Sequence, residues 1–288
     1  MPRALWVYCG SLFLLLLPTT LHAEDSKRAA WDRFHRRMAA RDKQIRNDLR
    51  ADAKEPWEGC FYSWDPFRLG DSWIISRKHG YVSTSKLIDM GRVEASEDRI
   101  RLISESPSDS WEKTHEYVVI RWGKRVYLVE PDYLLSFCNA VNSGMISKEA
   151  GRGSIFLLRG TDDHVEASGL PQVPKEYKEY LLTKPVTGTI VKINGVKEDV
   201  AVHGERFLHS GLSITLDRGK RDGVRSGMEF FFLDWKSSPL GSEVFVISLT
   251  DRTCEVLVCG ITTKKGKLFK RGVQLSTADS LESAKDDD

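Results

Sequence analysis

Tyr117 to Asn142 reads YVVIRWGKRVYLVEPDYLLSFCNAVN, two apolar runs about Gly123-Lys124 followed by a run with helical spacing. Glycine at the first place of a two-residue loop is a hairpin signal of the II′ kind. With the turn there, Trp122 faces Arg125, Ile120 faces Tyr127 and Val118 faces Val129 on one side of the ribbon. Val119 with Leu128 and Arg121 with Val126 share the other. Both faces are mostly apolar, which predicts a ribbon inside a sheet rather than an exposed flap. A helix is predicted over 132–143: Pro131 or Asp132 opens it, Leu134, Leu135, Phe137, Cys138 and Val141 recur at helical spacing, and Gly144 closes it.

Upstream, short β-type runs at Trp73–Ser76, Tyr81–Thr84, Arg92–Ala95 and Arg99–Ile103 are separated by Gly, Asp, Ser and Pro. That spacing predicts an antiparallel meander. Together with the hairpin, the helix and a strand at Ser154–Arg159, it defines a domain over 57–183. A short helix at Lys175–Leu182 leads to the boundary near Pro185. The opening Trp57-Glu-Gly-Cys-Phe61 has the form W-x-G-x-F and resembles the first strand of lipocalin-like small barrels. That likeness implies a barrel holding a small apolar ligand, for which Trp73, Ile100 and Val118 are the candidate lining.

A second set of strands begins at Val186 and fills a domain over 184–278, with an Asn194-Gly195 turn expected near its start. Its signature is Leu212-Ser-Ile-Thr-Leu-Asp-Arg-Gly219, then Gly223-Val224-Arg-Ser-Gly227-Met228, then Glu229-Phe-Phe-Phe-Leu233. This reads as strand, glycine-rich corner, strand, with Val224 and Met228 plugging the end of a small barrel. The corner G-x(3)-GV-x(2)-GM resembles small β-barrel modules of bacterial envelope proteins, among them rod-shape scaffolds and flagellar-associated periplasmic proteins. The likeness implies an envelope setting and an assembly role, with no catalytic residue to carry across. The fold expected for the whole is mainly β (α+β): a charged helix, a barrel-like meander with one packed helix, and a C-terminal small barrel.

The N-terminus predicts where the chain acts. Arg3 precedes an apolar run from Ala4 to Leu17, Pro18 follows, and Leu21-His22-Ala23 offers a cleavage site, so 1–23 reads as a secretory signal peptide. The run is shorter than the roughly 20 residues of a spanning helix, and a secreted or periplasmic protein is expected. Residues 24–56 form a charged helical lead whose thin stripe, Trp31, Phe34, Met38, Ile45 and Leu49, is interrupted by Arg41 and Asp42. Docking of that stripe on the following domain or on a partner helix is the leading reading, ahead of a mobile spacer or a helix lying on anionic membrane. Export makes disulfides admissible, and Cys60 with Cys138 is the preferred bridge. Residues 279–288 form an acidic tail, read as disordered.

The chain has 288 residues and a formal net charge of +2, which gives no support to nucleic-acid binding. Cys138, His115 and Asn142 have the residue types of a nucleophilic triad, but Cys138 falls on an apolar helix stripe, where core is the bland role. His203, Glu205 and His209 lie close in sequence without a metal-binding spacing. Asp65, Asp71, Glu94, Asp162 and Asp163 are loop acids of ordinary kind. No catalytic residue, metal or cofactor is therefore assigned. The expected function is non-enzymatic binding or assembly in the periplasm or cell envelope, with an envelope protein or an anionic envelope polymer as partner. The two alternatives are a lipocalin-like binder of an apolar molecule and a hydrolase built on loop carboxylates.

Overall fold

The computed structural model describes residues 9–51, 55–62, 73–83, 88–107, 113–145, 154–159, 167, 169–203, 207–233, 243–261 and 269–279, with side chains from residue 26 onward. Helix α1 (Cys9–Ala51) is followed by strands β1 (Gly59–Tyr62), β2 (Trp73–Ser76), β3 (Gly80–Ser83), β4 (Asp89–Ala95), β5 (Arg99–Ser104), β6 (Thr114–Trp122) and β7 (Arg125–Val129). A 3-10 turn, Pro131–Tyr133, leads into helix α2 (Leu134–Ser143) and strand β8 (Ile155–Leu158). Another, Lys175–Tyr180, precedes β9 (Thr187–Ala201), β10 (Leu208–Leu216), β11 (Phe231–Phe232), β12 (Val244–Leu249), β13 (Cys254–Cys259) and β14 (Gln274–Ser276). The first eight strands close into an antiparallel barrel; the other six form a sheet in the order β11-β14-β9-β10-β13-β12. The fold is mainly β with one packed helix, as the sequence predicts. Among the described residues no helix is long and apolar enough to cross a membrane.

Two compact units share the chain: Met1–Cys60 with Asp71–Ala95 and Arg101–His115, and Phe61–Gly70 with Ser96–Ile100 and Glu116–Asp288. In the first, α1 lays its stripe on one face of β2–β4. Phe34 and Ile45 are buried against Ile74, Val82 and Met90, with Trp31, Met38, Leu49 and Cys60 packed around them. Burying each large side chain of this kind stabilises by roughly 1.5–3 kcal/mol. The stripe advances by three or four residues except where Arg41 stands in place of an apolar residue. Arg41 donates to the Gly91 carbonyl at 3.0 Å and to Glu105 at 3.2 Å, so the interruption is a polar clamp. On the other face of these strands Tyr81 donates to Asp89 at 2.6 Å, and Ser104 donates to the second oxygen of the same buried carboxylate at 2.7 Å. The expected cleavage point after Ala23 falls within α1.

In the second unit the β6–β7 ribbon has the predicted register throughout, from Val118↔Val129 to Trp122↔Arg125. Gly123 takes φ +59 at the turn, a conformation that favours glycine. Leu134, Phe137 and Cys138 of α2 pack on Val118, Ile120, Tyr127, Val129 and Leu157, and Gly144 closes the helix in the left-handed region. The opposite side of α2 is polar and clamps the C-terminal sheet. Asn139 donates to the Gly227 carbonyl at 3.0 Å and accepts from the Glu229 amide at 3.2 Å. Asn142 donates to the Tyr180 carbonyl at 2.8 Å and accepts from the Leu182 amide at 2.9 Å. The helix comes so close that a Cβ on Gly227 would stand 2.6 Å from both Leu135 Cδ2 and the His203 carbonyl.

Val224 and Met228 are wholly buried in the C-terminal core with Leu212, Ile214, Leu216, Val256 and Val258. The flanking Gly223 and Gly227 have φ +88 and +81, so the corner is built as its spacing predicts. It also joins the two ends of the sheet. Gly227 donates to Val246 at 2.8 Å, Val246 to Met228 at 2.9 Å and Phe230 to Val244 at 2.9 Å, so this segment bonds β12; the next two residues pair with β14.

Two expectations are corrected. No disulfide joins Cys60 to Cys138: Cys60 fills the edge of the α1 cluster, while Cys138 is buried on the apolar side of α2 with its thiol 3.9 Å from the Tyr177 carbonyl. Asn194-Gly195 is no turn either. β9 continues through it to Ala201, and the dipeptide is accommodated by a bulge between the Ile214↔Ile193 and Ser213↔Gly195 pairs. Gly195 has φ +112 there.

Replacing Asn139 with Leu keeps the helix but strips the Gly227 carbonyl and the Glu229 amide of this partner. Unpaired buried groups cost roughly 1–3 kcal/mol each, so denaturant unfolding should show a loss of about 2 kcal/mol or more. A change below about 0.5 kcal/mol, the size of an ordinary surface substitution, would contradict the clamp.

Candidate functional site

The most built polar feature outside the core lies on the outer face of the C-terminal sheet. In β10 the alternation Leu212-Ser213-Ile214-Thr215-Leu216 sends the apolar residues into the core and the two hydroxyls to the opposite face. Thr215 pairs with Lys192 on one side and with Glu255 on the other, and Glu255 pairs with Ser248. Lys192, Thr215, Glu255 and Ser248 therefore form one row across β9, β10, β13 and β12. The β9 bulge adds Asn194 to that face, which is how a bulge re-aims a side chain. With Thr250 and Thr253 of the β12–β13 turn, these residues line a groove of about 380 Å³.

Glu255 is its centre. Oε1 accepts from Ser213 Oγ, from Asn194 Nδ2 at 3.2 Å and from Lys197 Nζ at 2.9 Å. Burial alone would raise its pKa, but the Ser213 hydrogen bond and the Lys197 and Asn194 donors outweigh burial and hold it below the usual carboxylate range. The charge is thus fixed at neutral pH. Asn194 also donates to Thr215 at 3.0 Å, tying the row together. A general acid or base works best with a pKa near the working pH, and this carboxylate is tuned away from it. Ser213 is fully buried and spends its proton on Glu255, so it is no nucleophile. The arrangement is a preorganised acceptor, suited to binding.

The residues singled out from sequence fall elsewhere. Trp73 lies edge-on to Tyr81, with ring centroids 5.5 Å apart, and 5.6 Å from His115. Ile100 is buried in β5, and Val118 is buried in the cluster beneath α2. Cys138 and Asn142 of the triad types serve core and clamp respectively. His203 stacks on Tyr180, and His209 Nδ1 lies 3.7 Å from Cys259 Sγ. Glu94 bridges Arg92 and Arg101 on the surface. Glu205, Asp65, Asp71, Asp162 and Asp163 lie outside the described residues, as do residues 280–288 of the acidic tail. Among the described residues no group of His, Cys, Asp and Glu gathers as a metal site.

Ser76, His79 and Asp48 are a constellation that sequence reading missed and chemistry rejects. Asp48 stands between the other two, 3.4 Å from Ser76 Oγ and 3.3 Å from His79 Nε2. A nucleophilic triad needs the histidine between serine and acid. Here Ser76 accepts the amides of Lys78 and His79 and shapes the β2–β3 turn.

No protein-family profile matches the chain, and neither a curated protein nor a solved structure matches it. Fold and site define a mainly β protein presenting a polar groove.

The buried thiols give a direct check on the packing. Burial pushes Cys138 up to about 12; burial, with Asp217 and Asp222 nearby, pushes Cys254 up to about 12. Both are neutral at pH 8 and should resist alkylation until the chain unfolds. Their contribution to stability is present below the unfolded thiol value of about 8.5 and is lost as pH rises toward the folded value. Alkylation of either in native protein at the rate of unfolded chain would contradict the two cores.

Proposed function

We propose that the protein is an exported, non-enzymatic binding or assembly protein of the periplasm or cell envelope, and that it takes its ligand in the groove over Glu255. The observation that carries this reading is a carboxylate held charged by three donors in the middle of a four-strand polar row. Partial burial of a charge is unfavourable even when paired, so a carboxylate held at that cost is the group a ligand is expected to use. The hydrophobic N-terminal run with a small-residue site at Ala23 supports export. The resemblance of the Gly219–Met228 corner to envelope barrel modules supports the setting, and the corner serves there as architecture, with no catalytic part.

Cell fractionation of the full-length chain tests the setting: a chain cleaved after Ala23, with mature mass, should be found outside the cytosol. Retention of an uncleaved chain in the cytosol would overturn it. Binding is tested by passing Glu255→Gln and wild type over immobilised envelope polymers. Wild type should be retained and the variant released several-fold earlier, with unchanged circular dichroism; equal retention would remove the groove from the function.

A further inference from the structure

We propose that the groove binds an anionic polyhydroxyl polymer, with the anionic group at Lys192 and hydroxyls on Glu255 and Ser248. This deepens the reading above and rests on it. It starts from the groups the protein leaves unused. All three donors to Glu255 converge on Oε1, and among the described residues Oε2 has no partner. The Lys192 ammonium and the Ser248 hydroxyl line the same groove, also without a partner among the described residues. The turn hydroxyls differ: Thr250 and Thr253 are engaged with each other at 2.8 Å and with their own backbone.

Charge then selects the ligand. Lys197 is committed to Glu255, which leaves Lys192 as the cation to be matched from outside. With Lys197 balancing Glu255, Lys192 leaves the groove with a net positive charge, so a net anion is favoured over a neutral or cationic ligand. The open oxygen of Glu255 imposes the opposite rule a short way off. An anion placed there meets like charge, so the ligand must present neutral O–H donors, and charge-assisted hydrogen bonds of that kind are the strong ones. The ligand therefore carries its negative group and its hydroxyls two strands apart, roughly 10 Å at a strand spacing of about 4.8 Å. The complete row spans four strands, on the order of 14 Å, the footprint of an extended chain more than of a single small molecule. The described residues that line the groove are polar or charged, and they offer a ligand charge and hydrogen bonds.

Carboxylate and phosphate polymers share this chemistry, and the test separates them. Binding of the mature protein to polygalacturonate, to poly(glycerol phosphate), to neutral dextran and to polyglutamate is measured by calorimetry, for wild type, Lys192→Gln and Glu255→Gln. At least one of the first two polymers should bind wild type, about tenfold more tightly than either variant. Dextran should not bind, and polyglutamate, which is anionic without hydroxyls, should bind weakly and without dependence on Glu255. Equal affinity for dextran, or indifference to Lys192→Gln with sensitivity to Glu255→Gln retained, would overturn the ligand class and leave the groove standing. Tight Glu255-dependent binding of polyglutamate would overturn the hydroxyl requirement. Binding indifferent to both substitutions would overturn the groove itself, and failure of both anionic polymers to bind would overturn the ligand class.

Discussion

Two asparagines on one helix join the halves of the second unit. α2 gives its apolar side to the β6–β8 strands and its amides to the corner and linker of the C-terminal sheet. An amide can do this where an apolar residue cannot, since it supplies a donor and an acceptor at once, here to one backbone carbonyl and one backbone amide each. The glycine at position 227 is the other half of the joint, because any side chain there would stand where Leu135 does. From that fixed corner the chain reaches Met228 and Phe230, bonds β12, and then turns to β14.

The groove rests on two local devices in the same sheet. Alternation in β10 and β13 buries Leu212, Ile214, Leu216, Cys254 and Val256 and leaves Ser213, Thr215 and Glu255 on the other face. The β9 bulge then brings Asn194 across to bind three of its neighbours. The resulting site holds a charge in place without putting it to chemical work. Glu255 is held below the usual carboxylate range, Ser213 is buried and Lys197 is paired with the carboxylate.

Much of the architecture was legible in the sequence. The Tyr117–Val129 register follows from a two-residue turn and a period of two, and α2 from the spacing of Leu134, Phe137 and Cys138 with Gly144 at its end. The corner glycines announced themselves because only glycine takes those angles comfortably. The site was not legible. Lys192, Asn194 and Glu255 are ordinary surface residues in sequence, and they converge only through pairing across β9, β10 and β13, which depends on register between strands separated by tens of residues. Asn194-Gly195 was actively misleading, since the dipeptide that makes a hairpin turn also makes a bulge when the strand continues past it. The Cys60–Cys138 bridge failed for a related reason: parity and compartment restrict which cysteines can pair, but each thiol is placed by the apolar cluster it fills.

Backbone amide exchange with and without poly(glycerol phosphate) or polygalacturonate, whichever binds, tests most directly the claim that function resides on the C-terminal sheet. The account predicts slowed exchange at Lys192–Gly195 and Ser248–Glu255, with β1–β8 unchanged. Protection confined to the barrel strands, with the groove segments exchanging as in the unliganded protein, would contradict it.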